Sequence, residues 1–397
     1  MKNLNRKLTA LLAALVFSST AALAQSGATR PRRVTPQPPP APARNDSATA
    51  TTRTGSASLP PLGDTARAYA LLNEKKYDEA LREARAAADR DPKNAEAWKL
   101  AGFAGYNLKQ YAEAVKDLER ALELQRAASG EDENTVDALA RSYVFTEQFD
   151  KALPLLVAAT TRKGKAPDAS DLYYRGLAEY RTNKPADAER SFNAAVKADP
   201  KLTGALFYLG RLAYDRKDDA AAISALNRAT LADPRLAEAW SYLTYAYMRR
   251  ADSKQGPTAK ADYLSAVKAS EGLLRARPND DAATMLHAQA LVRAEQYVRA
   301  ATALERLAAK PDAPGQTLLL LGISHSRANN LPKAVAALER AAAKSPDDAN
   351  VYRELGYALE ASKQYARALA AYEKGLSLAP DDAYFKESAE RVRPFAK

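Results

Sequence analysis

Large apolar residues recur along most of this chain three and four positions apart, in blocks of about a dozen, the spacing that lines one face of an α-helix. The blocks come in pairs. Turns between pairs carry Asp-Pro or Ser-Pro at Pro92, Pro200, Pro234 and Pro346, Ala-Pro at Pro380, and Arg-Pro at Pro278. Pro200 and Pro234 lie 34 residues apart, as do Pro346 and Pro380. On a frame of that length, helix pairs begin near Pro61, Ala95, Glu133, Ala169, Thr203, Ala237, Asp281, Gly315 and Ala349. Four extra residues precede the third pair, two precede the fourth, and the sixth carries about ten extra around Ala251–Pro257. That extension reads as a tolerated loop or as a contact point at the edge of the array.

Three columns of small residues run through the frame. The twentieth position is Ala80, Ala114, Ala152, Ala188, Ala222, Ala266, Ala300, Ala334 and Ala368. The eighth is Ala68, Gly102, Ala140, Gly176, Gly210, Thr244, Ala288, Gly322 and Gly356. The twenty-seventh is mostly alanine, with Leu273, Leu307 and Gly375 as departures. An aromatic residue often opens the second helix: Tyr77, Tyr111, Phe149, Tyr263, Tyr297 and Tyr365. Two short helices approach closely only where one side chain at their crossing is tiny, so positions 8 and 20 predict packing within a pair and position 27 packing onto the next. Proline near position 32 ends each second helix, because it cannot continue the hydrogen-bond ladder. A single pair cannot bury its apolar stripe alone, so the pairs must stack.

This pattern resembles the tetratricopeptide repeat family over residues 61 to about 382. The resemblance implies an all-α, right-handed superhelical solenoid of about nine helix-turn-helix pairs. Polar Asp64 and Arg67 suit an outward first face. Residues 383–397 read as a capping helix and tail: Asp381-Asp382 can cap the helix, Phe385 and Val392 cover the last pair, and Lys386, Glu387, Glu390 and Arg391 stay in water.

Composition changes the picture mainly at the amino terminus. Lys2, Arg6 and Lys7, the apolar run Leu8–Phe17 and Ala22-Leu23-Ala24 before Gln25 have the form of a cleavable signal peptide over residues 1–24. A retained anchor is the alternative, although the run is short for spanning a bilayer. Residues 25–60 are rich in Pro, Ser, Thr and Arg and poor in large apolar side chains, which predicts a disordered, extended linker. The expected location is therefore the periplasm or outside the cell, with no transmembrane segment once the signal is removed. Cysteine is absent, which excludes disulfides, thiolate chemistry and a lipid anchor on a lipobox cysteine. Of the formal charge of +11, residues 1–24 hold +3, residues 25–60 hold +4 and the repeats only +4. The basic balance thus gives no case for a nucleic-acid partner.

Catalytic chemistry is poorly supplied. The carboxylates fall among lysines and arginines at neighbouring helical turns, as in Glu113, Lys116, Glu119 and Arg120, which is the pattern of a solvated face. The two histidines, His287 and His325, sit at packing positions of adjacent repeats with no acidic cluster, so no metal, cofactor or enzymatic activity is expected. In the family it resembles, positions 2, 5, 9, 12 and 13 of each first helix face a concave groove. Carried onto this chain, they nominate Tyr173, Leu177, Tyr180, Arg181, Phe207, Arg211, Tyr214, Tyr245, Met248 and Arg249. Tyrosine and arginine are common interface anchors, although half of these tyrosines also suit packing between first helices. A carboxylate clamp of Lys and Asn at positions 5 and 9 is not rebuilt, since Phe103 follows Lys99. The expected function is a protein-binding scaffold of the bacterial cell envelope. Exported polysaccharide or peptidoglycan is the alternative ligand.

Overall fold

The structure, a computed structural model, describes residues 64–396. The expected signal peptide and linker lie outside the described residues. Within them the chain is a succession of α-helices. First helices begin at Ala95, Glu133, Ala169, Thr203, Ala237, Asp281, Gly315 and Ala349, the residues at which the 34-residue frame places them. The chain forms two compact units, one ending at Leu212 and the other starting at Ala213, within the helix Thr203–Asp215.

The small-residue columns have a direct physical cause. All nine alanines of position 20 are fully buried. At position 8, a Cβ on Gly176 would lie 2.7 Å from the Phe192 ring, and one on Gly356 would lie 2.4 Å from Tyr372. Gly102 and Gly322 stand in the same way 2.4 Å from Leu118 and Leu338. Glycine at position 8 thus makes room for a large residue at position 24, and the sixth repeat reverses the sizes with Thr244 and Ser270. Gly375 departs from alanine at position 27 because its Cβ would meet the Phe385 ring of the last helix at 2.1 Å. The two tryptophans of position 4 reach back to the proline turns: Nε1 of Trp98 donates to the Pro92 carbonyl at 3.1 Å, and that of Trp240 to Pro234 at 2.9 Å.

Turns between paired helices are closed by a left-handed residue at position 15, for instance Lys109 with φ 63° and Asn329 with φ 61°. Behind it, the amide of Gln110 bonds the Gly105 carbonyl at 2.8 Å, tying off the helix end. The sixth repeat differs. Its first helix runs Ala237–Asp252 and its second Gly256–Ala276, joined only through residues 253–255. The extension is therefore not a loop but added helical turns, and Tyr263 lies inside the second helix and does not open it. Gly256 and Pro257 stand at the start of that helix, where proline's fixed φ and missing N–H are tolerated.

The last helix, Ala383–Val392, is capped by Asp382 accepting from the Tyr384 amide at 3.0 Å, with Phe385 and Val392 buried. In the second unit, ion pairs join successive second helices: Glu271 to Arg299 at 2.8 Å, Glu305 to Lys333 at 3.6 Å, and Glu339 to Arg367. Glu373 and Arg393 extend the series to the carboxy-terminal cap at 3.2 Å.

Candidate binding face on the first helices

Within the first unit, most of the nominated side chains are packing elements. Tyr173, Leu177 and Phe207 are buried. Tyr173 lies against Gly204, whose Cβ would sit 2.8 Å from the ring, and 6.4 Å from Tyr208. Its hydroxyl is buried without a hydrogen-bond partner, and burial pushes its pKa well above the usual phenol value. Tyr180 is half-buried, 5.3 Å from Tyr208, with the Arg211 guanidinium 5.3 Å above its ring. Arg181 leans on the preceding repeat, 5.1 Å over Phe149 and 3.2 Å from Glu147.

Lys99 explains in molecular terms why no carboxylate clamp forms there. It is buried, and burial opposes its charge, yet Glu96 at 2.5 Å and Asp132 at 3.2 Å outweigh that cost and raise its pKa. Its ammonium is already committed to two carboxylates.

In the second unit, Arg249 is likewise committed. Its Nε donates to Asp219 at 2.8 Å, its Nη2 donates to the Tyr214 carbonyl at 2.7 Å, and its guanidinium stands 3.8 Å over the Tyr214 ring. Tyr214 meets Tyr242 edge-on at 5.4 Å, and Met248 packs half-buried against Leu273 and its neighbours. Tyr245 is different. It is 40% exposed and forms one wall of a cleft of about 80 Å³. Leu273, Ala282, Ala283 and Leu286 supply apolar lining, and Ser241, Arg277 and Asp280 the polar part. Ser241 and Tyr245 are positions 5 and 9 of one first helix, and Ala282 and Leu286 are positions 2 and 6 of the next. Ser241 donates to the Ala237 carbonyl at 3.1 Å, and Asp280 caps its helix by accepting from the Ala283 amide at 2.7 Å. Arg277 is hydrogen-bonded to Glu238. Burial and Tyr242 raise the Tyr245 phenol, so it remains a hydrogen-bond donor at neutral pH.

Sequence reasoning nominated Tyr245 but not Ser241, Arg277, Asp280 or Leu286, which line the cleft with it. The first shares the frame positions used to nominate Tyr245. Arg277 and Asp280 lie at a turn, which a search confined to helix positions passes over.

His287 and His325 are buried, and burial lowers both pKa values. Nδ1 of His287 is 2.9 Å from Ser270 Oγ, which itself donates to the Val267 carbonyl at 2.8 Å. Among the described residues no group of three or more His, Cys, Asp or Glu is placed to hold a metal ion, and no helix is long and apolar enough to cross a membrane.

No curated protein matches the chain by sequence at a significant level. Solved structures with similar folds include YrrB, described as a TPR protein with an unusual peptide-binding site, with 17% identity and a TM-score of 0.43 over 51% of this chain and 99% of that one. A tetratricopeptide repeat protein from Parabacteroides merdae is 17% identical over 66% of this chain and 98% of its own, with a TM-score of 0.40. MamA from Desulfovibrio magneticus RS-1 is 19% identical over 46% of this chain and 97% of its own, also with a TM-score of 0.40. The family model of the tetratricopeptide repeat matches residues 65–132, 138–202, 173–241 and 319–383. These segments span more than half of the sequence, and the chain belongs to the tetratricopeptide repeat family, whose helix pairs form scaffolds for protein–protein interaction.

Proposed function

We propose that this protein is an exported scaffold of a bacterial cell envelope that holds a segment of a partner protein along the first helices of its repeats. The observation that carries the reading is the contrast among the nominated residues. Tyr173, Leu177, Phe207 and Arg249 are used up inside the fold, whereas Tyr245 presents an exposed aromatic ring beside an apolar cleft. A half-exposed tyrosine with a nearby arginine has the composition of an interface anchor. Export rests on the basic-apolar-small pattern of residues 1–24, which also places residues 25–60 as a spacer ahead of the repeats.

Both parts are open to test with the full chain. Cell fractionation should place the protein in the periplasm or medium, with its new amino terminus after Ala24; an unprocessed chain in the cytoplasm would remove the envelope setting. In pull-downs from envelope extract, Tyr245→Ala should weaken partner capture at least tenfold, the scale of about 1.4 kcal/mol, while Lys374→Ala on a second helix should not. If Tyr245→Ala combined with Ser241→Arg leaves capture intact, the face has been misassigned. Retention on purified glycan and not on protein would favour the polysaccharide alternative.

A further inference from the structure

In the second unit, the first helices that begin at Ala237, Asp281, Gly315 and Ala349 carry charged residues at positions 2, 5, 9, 12 and 13, and every one is spent inside the protein. Arginine recurs at position 13. Arg249 is held by Asp219 and the Tyr214 carbonyl. Arg293 donates to Asp252, which also accepts from the Tyr263 hydroxyl at 2.6 Å. Arg327 lies 3.1 Å from Glu354 and 4.7 Å over the Tyr357 ring. At the other positions, Glu238 pairs with Arg277, Arg353 donates to Asp382, and Glu360 accepts from Arg391 at 2.9 Å. The side chains of Arg293 and Arg327 are only 15% and 14% exposed. A ligand carboxylate reaching for either would strand the carboxylate it displaces in a nearly buried place, which offsets the new contact.

What these positions leave available is uncharged. Position 9 is Tyr245, Gln289, Ile323 and Tyr357. Tyr245 and Ala282 border one cleft from positions 9 and 2 of successive first helices, and the same positions at the next joint are Gln289 and Gln316. Both glutamines are half-buried, and neither side chain hydrogen-bonds to another group among the described residues. A free amide offers a donor and an acceptor together, which matches the N–H and C=O groups of an extended peptide. Apolar surface lies beside them. Met248 and Val292 pack half-buried on one core cluster, and Met285 and Ile323 on the next. These are the two methionines of the described residues, and an unbranched thioether adapts to side chains of differing shape.

We propose that the partner segment held on this face is an extended peptide with no charged side chain at its contacts. Its aliphatic residues lie against Met248, Met285, Val292 and Ile323, and its backbone bonds the amides of Gln289 and Gln316. Ionic strength then has little influence on binding, since no ligand charge is being neutralised. This rests on the proposed use of the first helices for peptide binding, and adds the chemistry of the ligand.

Panning a phage-displayed library of random peptides on the immobilised full chain tests the assignment. Selected inserts should hold Asp, Glu, Lys and Arg about threefold less often than the unselected library. A synthetic selected peptide should keep its Kd within about twofold from roughly 0.05 to 0.5 M NaCl. Ile323→Asp should weaken that peptide about tenfold. Gln289→Lys, a change at a half-exposed position, should draw acidic residues into the inserts selected on that variant. Charged inserts selected on the unaltered protein, or a Kd that rises about tenfold with salt, would overturn the proposal; if those inserts still need Tyr245, the peptide-binding role of the face stands. Inserts indifferent to Tyr245→Ala, Gln289→Lys and Ile323→Asp alike, or no enriched inserts at all, would overturn both.

Discussion

At the scale of single residues, fit between positions 8 and 24 decides stability. Gly176 faces a phenylalanine ring, which cannot bend away from an added methyl group as the end of a leucine can. Gly176→Ala should therefore cost about 1–3 kcal/mol in urea unfolding. Phe192→Leu in the same chain should recover part of that loss, because repeats three and seven carry Ala with Leu at these positions (Ala140 with Leu156, Ala288 with Leu304). Additive losses in the double variant would show that the two side chains do not share the space. The columns of small residues were legible in the sequence because packing admits almost nothing else there. The environment of Tyr173 was not, since its burial depends on Gly204, in another helix, leaving room for the ring.

At the scale of elements, helix starts were legible where a cap or a turn proline marks them. The sixth repeat was misread for a specific reason: Gly256-Pro257 looks like a chain break, and proline at a first helical turn is in fact a start signal. The joint between the helices of the fifth and sixth repeats rests on Arg249, which binds a carboxylate, a carbonyl and an aromatic face together. Arg249→Ala leaves Asp219, 14% exposed at its side chain, without that partner. A loss of about 1–3 kcal/mol is expected, with Arg249→Lys recovering only part of it because an ammonium cannot make the forked contact. Equal stability of all three proteins would mean the contact is incidental.

For the whole molecule, acid should act through the two buried histidines, both in the second unit. Burial holds each imidazole below its ordinary value of 6.5, so the unfolded chain binds more protons than the folded one in that range. Their contribution is complete above pH 6.5 and is lost as pH falls through the lower folded values. Thermal melts at pH 7.5 and 5.5 should show a drop in Tm that shrinks when His287 and His325 are both replaced by glutamine. An unchanged drop would assign the acid sensitivity to other groups. The same scale shows the limit of the sequence: the residues that stack repeats recur and can be read, whereas those that meet a partner are set by which side chains the stack leaves uncovered.

The most direct measurement of the binding role is hydrogen–deuterium exchange on the full chain, free and bound to whatever protein Tyr245→Ala fails to capture. Slowed exchange at the first helices Ala237–Asp252 and Asp281–Arg293, with little change along Tyr297–Ala308 and Leu331–Lys344, is the expected result. Protection confined to those second helices would contradict the assignment of the first-helix face as the binding surface.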